Sequence, residues 1–339
     1  MNEAGGFSIS RSSSLRLSGY HIIWHRPELA DPAHSRGTLV FSPAAGFACK
    51  TYDSFLSQLA ERCSINIFTY DVRGIGESPL PVTPAYTKGR NRIGAFLADD
   101  LKQLFWSLRD YCQREIPDAA HGPWIFAGHS LGSWLSLYAA LYVHVRKIVL
   151  IDPPLFPATA ATKWALACAL NQRDKHPLSQ MTRKRKRIFR NEEQAVWVFS
   201  KLDFFRRWSP ARIADYVRSN YRASEFGLVL RHNPMWEADI VESQPPSTTL
   251  LLHNLPRDAR YDCKLHVAFG EHSPFNSIES QIVLASAFRN PQVHGLREAG
   301  HMLVFEREAE LLELFERAIL TDEFIAPAAL HDKKVIGLL

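Results

Sequence analysis

Five residues, Gly128-His129-Ser130-Leu131-Gly132, constrain this chain more than any others. A short apolar run, Trp124 to Ala127, leads into them, and an apolar stretch from Leu131 to Val143 follows. A serine with glycine two positions away on either side fits a sharp, strained strand-to-helix turn, because bulk at those positions would collide with the turn itself. Such a turn lifts the Ser130 hydroxyl above the edge of a sheet. It also leaves the Leu131 N–H at a helix N-terminus, where it can bind an oxyanion. Ser130 is therefore the candidate nucleophile. The plain alternative is a glycine-rich turn that holds an incidental serine.

Strands and helices alternate around this turn. Leu15, Leu17, Tyr20, Ile22 and Trp24 alternate about Ser18-Gly19, which predicts a hairpin. Apolar runs predict strands over Thr38–Phe41, Ile65–Tyr70, Trp124–Ala127, Ile148–Ile151, Lys264–Phe269 and Pro291–Leu296. Helical spacing predicts helices near Tyr52–Leu59, Ile93–Cys112, Leu131–Val143, Ile278–Phe288 and Val304–Leu320. Strands this apolar suit a mostly parallel sheet with helices on both faces, an α/β architecture. From Leu155 to about Glu242 the rhythm breaks. Helix formers and aromatics such as Trp164, Trp197, Phe205 and Trp208 dominate there, and no run is a convincing strand. The expectation is a helical insert over 155–242 in a core built from 1–154 and 243–339. A chain of 339 residues has room for that arrangement. The tail after Thr321 has no assignment.

Composition removes several classes of function. No apolar stretch reaches the about 20 residues that a bilayer span needs. The start of the chain has no apolar segment of the signal-peptide kind, so a cytoplasmic location is the default expectation. A net charge of +5 is too mild to imply nucleic acid. The basic run Arg183–Arg190 reads first as a solvated helix face, with an anionic partner or substrate handle as the alternative. Five cysteines, an odd number with no C-x-x-C pair, suggest neither a zinc site nor a disulfide framework. The pattern calls for no metal and no organic cofactor, and a homodimer stands as an alternative to a monomer.

Four ordered motifs resemble those of the α/β-hydrolase fold. They are Asp71-Val72-Arg73-Gly74-Ile75-Gly76-Glu77-Ser78, similar to that family's D-x-R-G-x-G-x-S turn; the serine elbow; Ile148–Pro153, similar to the strand after the elbow helix; and Gly300-His301-Met302, similar to its histidine loop. The match runs from about residue 15 to 320 apart from the insert, which falls where the family carries its cap. Within the insert, Phe204–Trp208 and Met235–Ala238 resemble stretches of a group of bacterial hydrolases and name no substrate.

The resemblance implies that His301 is the general base, since a serine hydroxyl needs a neighbour to take its proton. His129 reads as packing. The usual acid position, in a G-x-x-D stretch, here holds Ser273 within Gly270-Glu271-His272-Ser273. Asp152, one strand earlier, is the preferred replacement, and Glu271 is the alternative. Leu131 and Phe47 are expected to supply the oxyanion N–H groups, Phe47 from the Ala45-Gly46-Phe47 stretch. The implied function is a serine hydrolase that cleaves an ester or thioester of a hydrophobic acyl or aromatic substrate beneath an aromatic-rich lid. An acyltransferase with the same residues, or a ligand-binding protein on this scaffold, are the alternatives.

Overall fold

The computed structural model describes residues 12–27, 37–80, 93–117, 122–156, 158–244 and 263–321. The first half alternates as expected. Strands β1 (Ser12–Leu17), β2 (Tyr20–His25) and β3 (Thr38–Ser42) precede helix α1 (Asp53–Cys63). Then come β4 (Asn66–Tyr70), α2 (Ile93–Glu115), β5 (Trp124–His129), α3 (Leu131–Ala139) and β6 (Lys147–Ile151). The insert holds α4 (Ala158–Ala169), α5 (Pro177–Arg183), β7 (Ile188–Phe189), α6 (Glu192–Ser200), α7 (Pro210–Asn220), β8 (Tyr221–Ser224), β9 (Gly227–Leu230) and α8 (Pro234–Glu242). The core resumes with β10 (Lys264–Gly270), α9 (Ile278–Ala287), β11 (Gln292–Leu296), α10 (Leu303–Glu306) and α11 (Glu308–Leu320).

Eight strands form one sheet in the order β1-β2-β4-β3-β5-β6-β10-β11. The β1–β2 and β2–β4 pairs are antiparallel, and every pair from β4 to β11 is parallel. The hairpin turn has Ser18 at φ 52° and Gly19 at φ 82°, the doubly left-handed turn whose twist matches its strands. Parallel strands need both faces covered, and two clusters cover them. On one face Leu104, Phe105 and Leu108 of α2 and Leu135 of α3 pack on Phe68, Phe126 and Leu150. On the other, Phe55 and Leu59 of α1 and Leu311 and Phe315 of α11 pack on Leu39, Ile67 and Val149. A buried lysine reaches across one of these faces. The Lys147 ammonium donates to the carbonyls of Ala318 (3.0 Å), Ile319 (2.7 Å) and Thr321 (3.0 Å), closing the C-terminus of α11 from within β6.

The insert departs from expectation in two ways. It is not wholly helical, because β7, β9 and β8 form a three-stranded antiparallel sheet. Strands of two and four residues carry too few alternations to register as a period in sequence. The basic run is not a helix face either. Helix α5 ends at Arg183, and the next residues run irregularly into β7. Arg183 pairs with Glu242 at 2.6 Å and Arg185 pairs with Glu237 at 2.7 Å, both acids being buried on α8. Asn191, Ser209 and Asn233 accept N–H bonds at the starts of α6, α7 and α8, with proline following in the last two.

Candidate active site

The turn after β5 is built as its glycines require. A Cβ on Gly128 would lie 2.3 Å from the Gly132 backbone, and one on Gly132 would lie 1.8 Å from the Ser42 carbonyl oxygen. Ser130 sits at φ 54°, ψ −116°, a conformation that L-residues rarely adopt. Its N–H donates to the Ile151 carbonyl at 2.9 Å, which ties the turn to the end of β6.

Three side chains converge there from separate strand ends. Ser130 Oγ lies 2.9 Å from His301 Nε2, and His301 Nδ1 lies 2.6 Å from Asp152 Oδ2. Asp152 also has a positive φ of 46° and is fully buried. Its Oδ1 accepts the Gly270 N–H at 3.2 Å, and its Oδ2 accepts the Ser273 hydroxyl as well as His301. A carboxylate with these donors assigns the proton on His301 to Nδ1. Nε2 is then left to accept from the serine. Ser273, in the position where the family's acid usually lies, instead donates to Asp152.

Glu271 is elsewhere. Its Oε2 accepts the Glu298 N–H at 2.7 Å, which holds the loop after β11 rather than the imidazole. Phe47 also departs from expectation. Its N–H closes a turn onto the Ala44 carbonyl at 3.2 Å and its ring is buried, so that N–H faces its own loop. Ala44 N–H is engaged by Tyr52 Oη at 3.1 Å. The Leu131 and Ala45 N–H groups have no acceptor among the described residues. The expected stretch was offset by the tight turn at Gly46, φ 73°, which the sequence showed only as a glycine.

His129 does more than pack. Its Nδ1 lies 2.9 Å from Tyr52 Oη, and its Nε2 lies 2.9 Å from the His301 carbonyl oxygen. A carbonyl only accepts, so Nε2 carries the proton and Nδ1 accepts from the phenol. Burial, with repulsion from His301, lowers the His129 pKa to about 3, so the ring stays neutral. The chain Ala44 N–H, Tyr52 O–H, His129 N–H, His301 C=O joins the loop after β3 to the loop after β11. Tyr52 was read only as part of a helix, and nothing in sequence pairs it with position 129.

One buried group has metal-type donors: His21, Cys49 and Asp71. Asp71 accepts the N–H of Cys49 (2.7 Å) and of Glu77 (2.8 Å) and contacts His21 Nδ1 at 2.7 Å. Burial and Asp71 push the Cys49 thiol pKa well up. These contacts hold the D-x-R-G turn, and a cation would have to displace them.

The surroundings of Ser130 and His301 are apolar on one side. The Phe275 ring meets His301 edge-on at 5.0 Å, and Phe156 meets Phe275 at 5.5 Å. The insert's aromatics lie differently. Phe199, Phe205, Trp208, Tyr216 and Tyr221 are buried among themselves and against Phe47 and Phe305, with Trp208 stacked on Phe305 at 4.3 Å. They build core rather than line an opening. The insert is also hydrogen-bonded to the site loops: Asn220 Oδ1 accepts the Ala48 N–H at 2.9 Å, and Trp236 Nε1 donates to the Arg73 carbonyl at 2.7 Å.

Fold, elbow and converging side chains are those of a hydrolase built on a parallel sheet. The sequence profile described as "Alpha/beta hydrolase family" matches residues 39–314, and the chain belongs to that family. No curated protein matches the chain. Solved structures do. An E-2-(acetamidomethylene)succinate hydrolase is 16% identical with a TM-score of 0.65, covering 92% of this chain and 99% of that one. A peroxisomal alpha-beta-hydrolase from Saccharomyces cerevisiae is 15% identical with a TM-score of 0.63, covering 93% and 86%. An esterase from M. tuberculosis is 15% identical with a TM-score of 0.62, covering 93% of each chain. At these identities the likeness is one of fold.

Proposed function

We propose that the chain is a serine hydrolase that cleaves an ester or thioester through an acyl-enzyme on Ser130. The observation that carries this reading is the unbroken line Ser130 Oγ, His301 Nε2, His301 Nδ1, Asp152 Oδ2, with spacings of 2.9 and 2.6 Å. His301 takes the hydroxyl proton as Ser130 Oγ attacks the carbonyl carbon. The tetrahedral oxyanion is held by the Leu131 N–H and by the Ala45 N–H, in place of the Phe47 N–H that is spent within its own turn. His301 then passes its proton to the departing alkoxide or thiolate. Water attacks the acyl-enzyme by the same steps in reverse. Asp152 stays ionised throughout, fixing the imidazole tautomer and stabilising imidazolium.

The acyl group is hydrophobic or aromatic in this reading, and Phe275 and Phe156 support it as the apolar wall beside His301. The insert over 155–242 acts as a cap that fixes the site loops and limits access of water.

The test is labelling with a fluorophosphonate, read by mass spectrometry, on wild type, Asp152→Asn and Glu271→Gln. Phosphonylation of Ser130 that slows sharply only in Asp152→Asn is the expected result. A folded wild-type protein that fails to label would remove the hydrolase reading and leave a ligand-binding protein on this scaffold.

A further inference from the structure

A second pocket, of about 510 Å³, opens between β1, the turn after β4 and the β8–β9 hairpin of the insert. Its wall holds three guanidinium groups, Arg16, Arg222 and Arg231, and one carboxylate, Glu77. Two of the three share that carboxylate loosely, Arg231 at 3.4 Å and Arg16 at 3.8 Å. Arg222 has no carboxylate partner within ion-pair distance among the described residues. Three positive charges face one negative charge, a surplus of two.

One further donor in this wall is unused: Arg231 Nε is buried without an acceptor among the described residues. A buried donor with no acceptor is costly, and native proteins rarely leave one unless a ligand, ion or water completes it. Guanidinium forks approaching from different elements suit a tetrahedral oxyanion, which offers several acceptor oxygens in different directions.

We propose that this pocket binds the phosphate group of a small molecule. The surplus of two charges matches a phosphate monoester dianion, and the volume leaves room for more than the phosphate itself. The site lies where the insert meets the core and does not depend on the chemistry at Ser130. The Ser130→Ala protein is therefore expected to bind phosphate as wild type does.

The experiment is calorimetric titration of inorganic phosphate into the full chain, and separately of succinate, at constant ionic strength. Wild type should bind phosphate saturably and more tightly than succinate. In the double variant Arg16→Gln, Arg222→Gln, whose side chains are exposed, binding should weaken about tenfold or more, the loss of charge-assisted hydrogen bonds. Glu77→Gln should act in the opposite direction and tighten binding about threefold by removing the competing carboxylate. Because a gain cannot come from misfolding, that variant guards against a trivial loss. Absence of saturable phosphate binding overturns the proposal. So does equal affinity in the double variant, weaker binding in Glu77→Gln, or a preference for succinate.

Discussion

The loops that follow β6 and β10 leave neighbouring parallel strands, and each carries an acid. The first offers Asp152, fully buried, with three donors on its carboxylate. The second offers Glu271, which is exposed and turned onto the Glu298 N–H, and Ser273, which donates to Asp152 instead. Residues 151 and 268 are paired in register, so the first position beyond β6 and the turn beyond β10 share one space. The acid can therefore pass from one strand to its neighbour while the imidazole stays where it is, provided the vacated position supplies a donor rather than a second charge. Two carboxylates there would repel.

That comparison is broken most severely at Asp152. Asp152→Asn should lower kcat/KM on an activated ester by about 10³–10⁴-fold, because the amide no longer fixes the productive tautomer. A smaller loss would mean that the β6 loop is structural. Moving the acid back, by Asp152→Asn with Ser273→Asp, should recover part of that loss. No recovery would show that only the β6 loop can serve His301. Ser273→Ala should lower kcat/KM about tenfold, the order of a hydrogen bond to a charged group. An unchanged kcat/KM would mean that the Ser273 hydroxyl does not help to position the Asp152 carboxylate. Glu271→Gln should stay within about twofold of wild type, as surface changes usually do.

A smaller effect concerns pH and stability. Burial lowers the pKa of His129 to about 3 and of His25, His266 and His294 to about 4, from 6.5. Between those values the unfolded chain binds protons that the folded chain refuses, so stability falls as pH falls. The melting temperature should hold near neutral pH and drop progressively below about pH 6.5. A flat profile down to pH 4 would contradict these burial assignments.

Much of this was legible in the chain. Parallel strands buried on both faces leave long apolar runs, and the serine elbow needs small residues at fixed offsets, so Gly128, Ser130 and Gly132 announced themselves. Asp152 entered as an expectation from the family resemblance, with Glu271 as the alternative, because Ser273 stands where the family's acid usually lies, and the sequence alone did not show that His301 would contact Asp152. What stayed hidden depends on pairings across long sequence separation. Arg185 meets Glu237 only because α5 lies on α8, and Tyr52 meets His129 only because the turn leading into α1 lies over the end of β5. The short β7–β9 strands hid for a different reason, too few residues to show a period. The direction of the Phe47 N–H depends on geometry finer than a motif: in the tight turn at Gly46 it donates to the Ala44 carbonyl.

The line from Ala44 through Tyr52 and His129 to His301 has a direction. Each group in it can donate only one way, because a backbone N–H begins it and a carbonyl ends it. Such a line tolerates no sliding: either end can move only by leaving a buried polar atom alone. The line therefore ties the loop after β3 to the loop after β11, and in the proposed reaction a carbonyl would have to fit the gap between them. Selectivity in this molecule is then expected to come from the shape of the guest rather than from closure of the host.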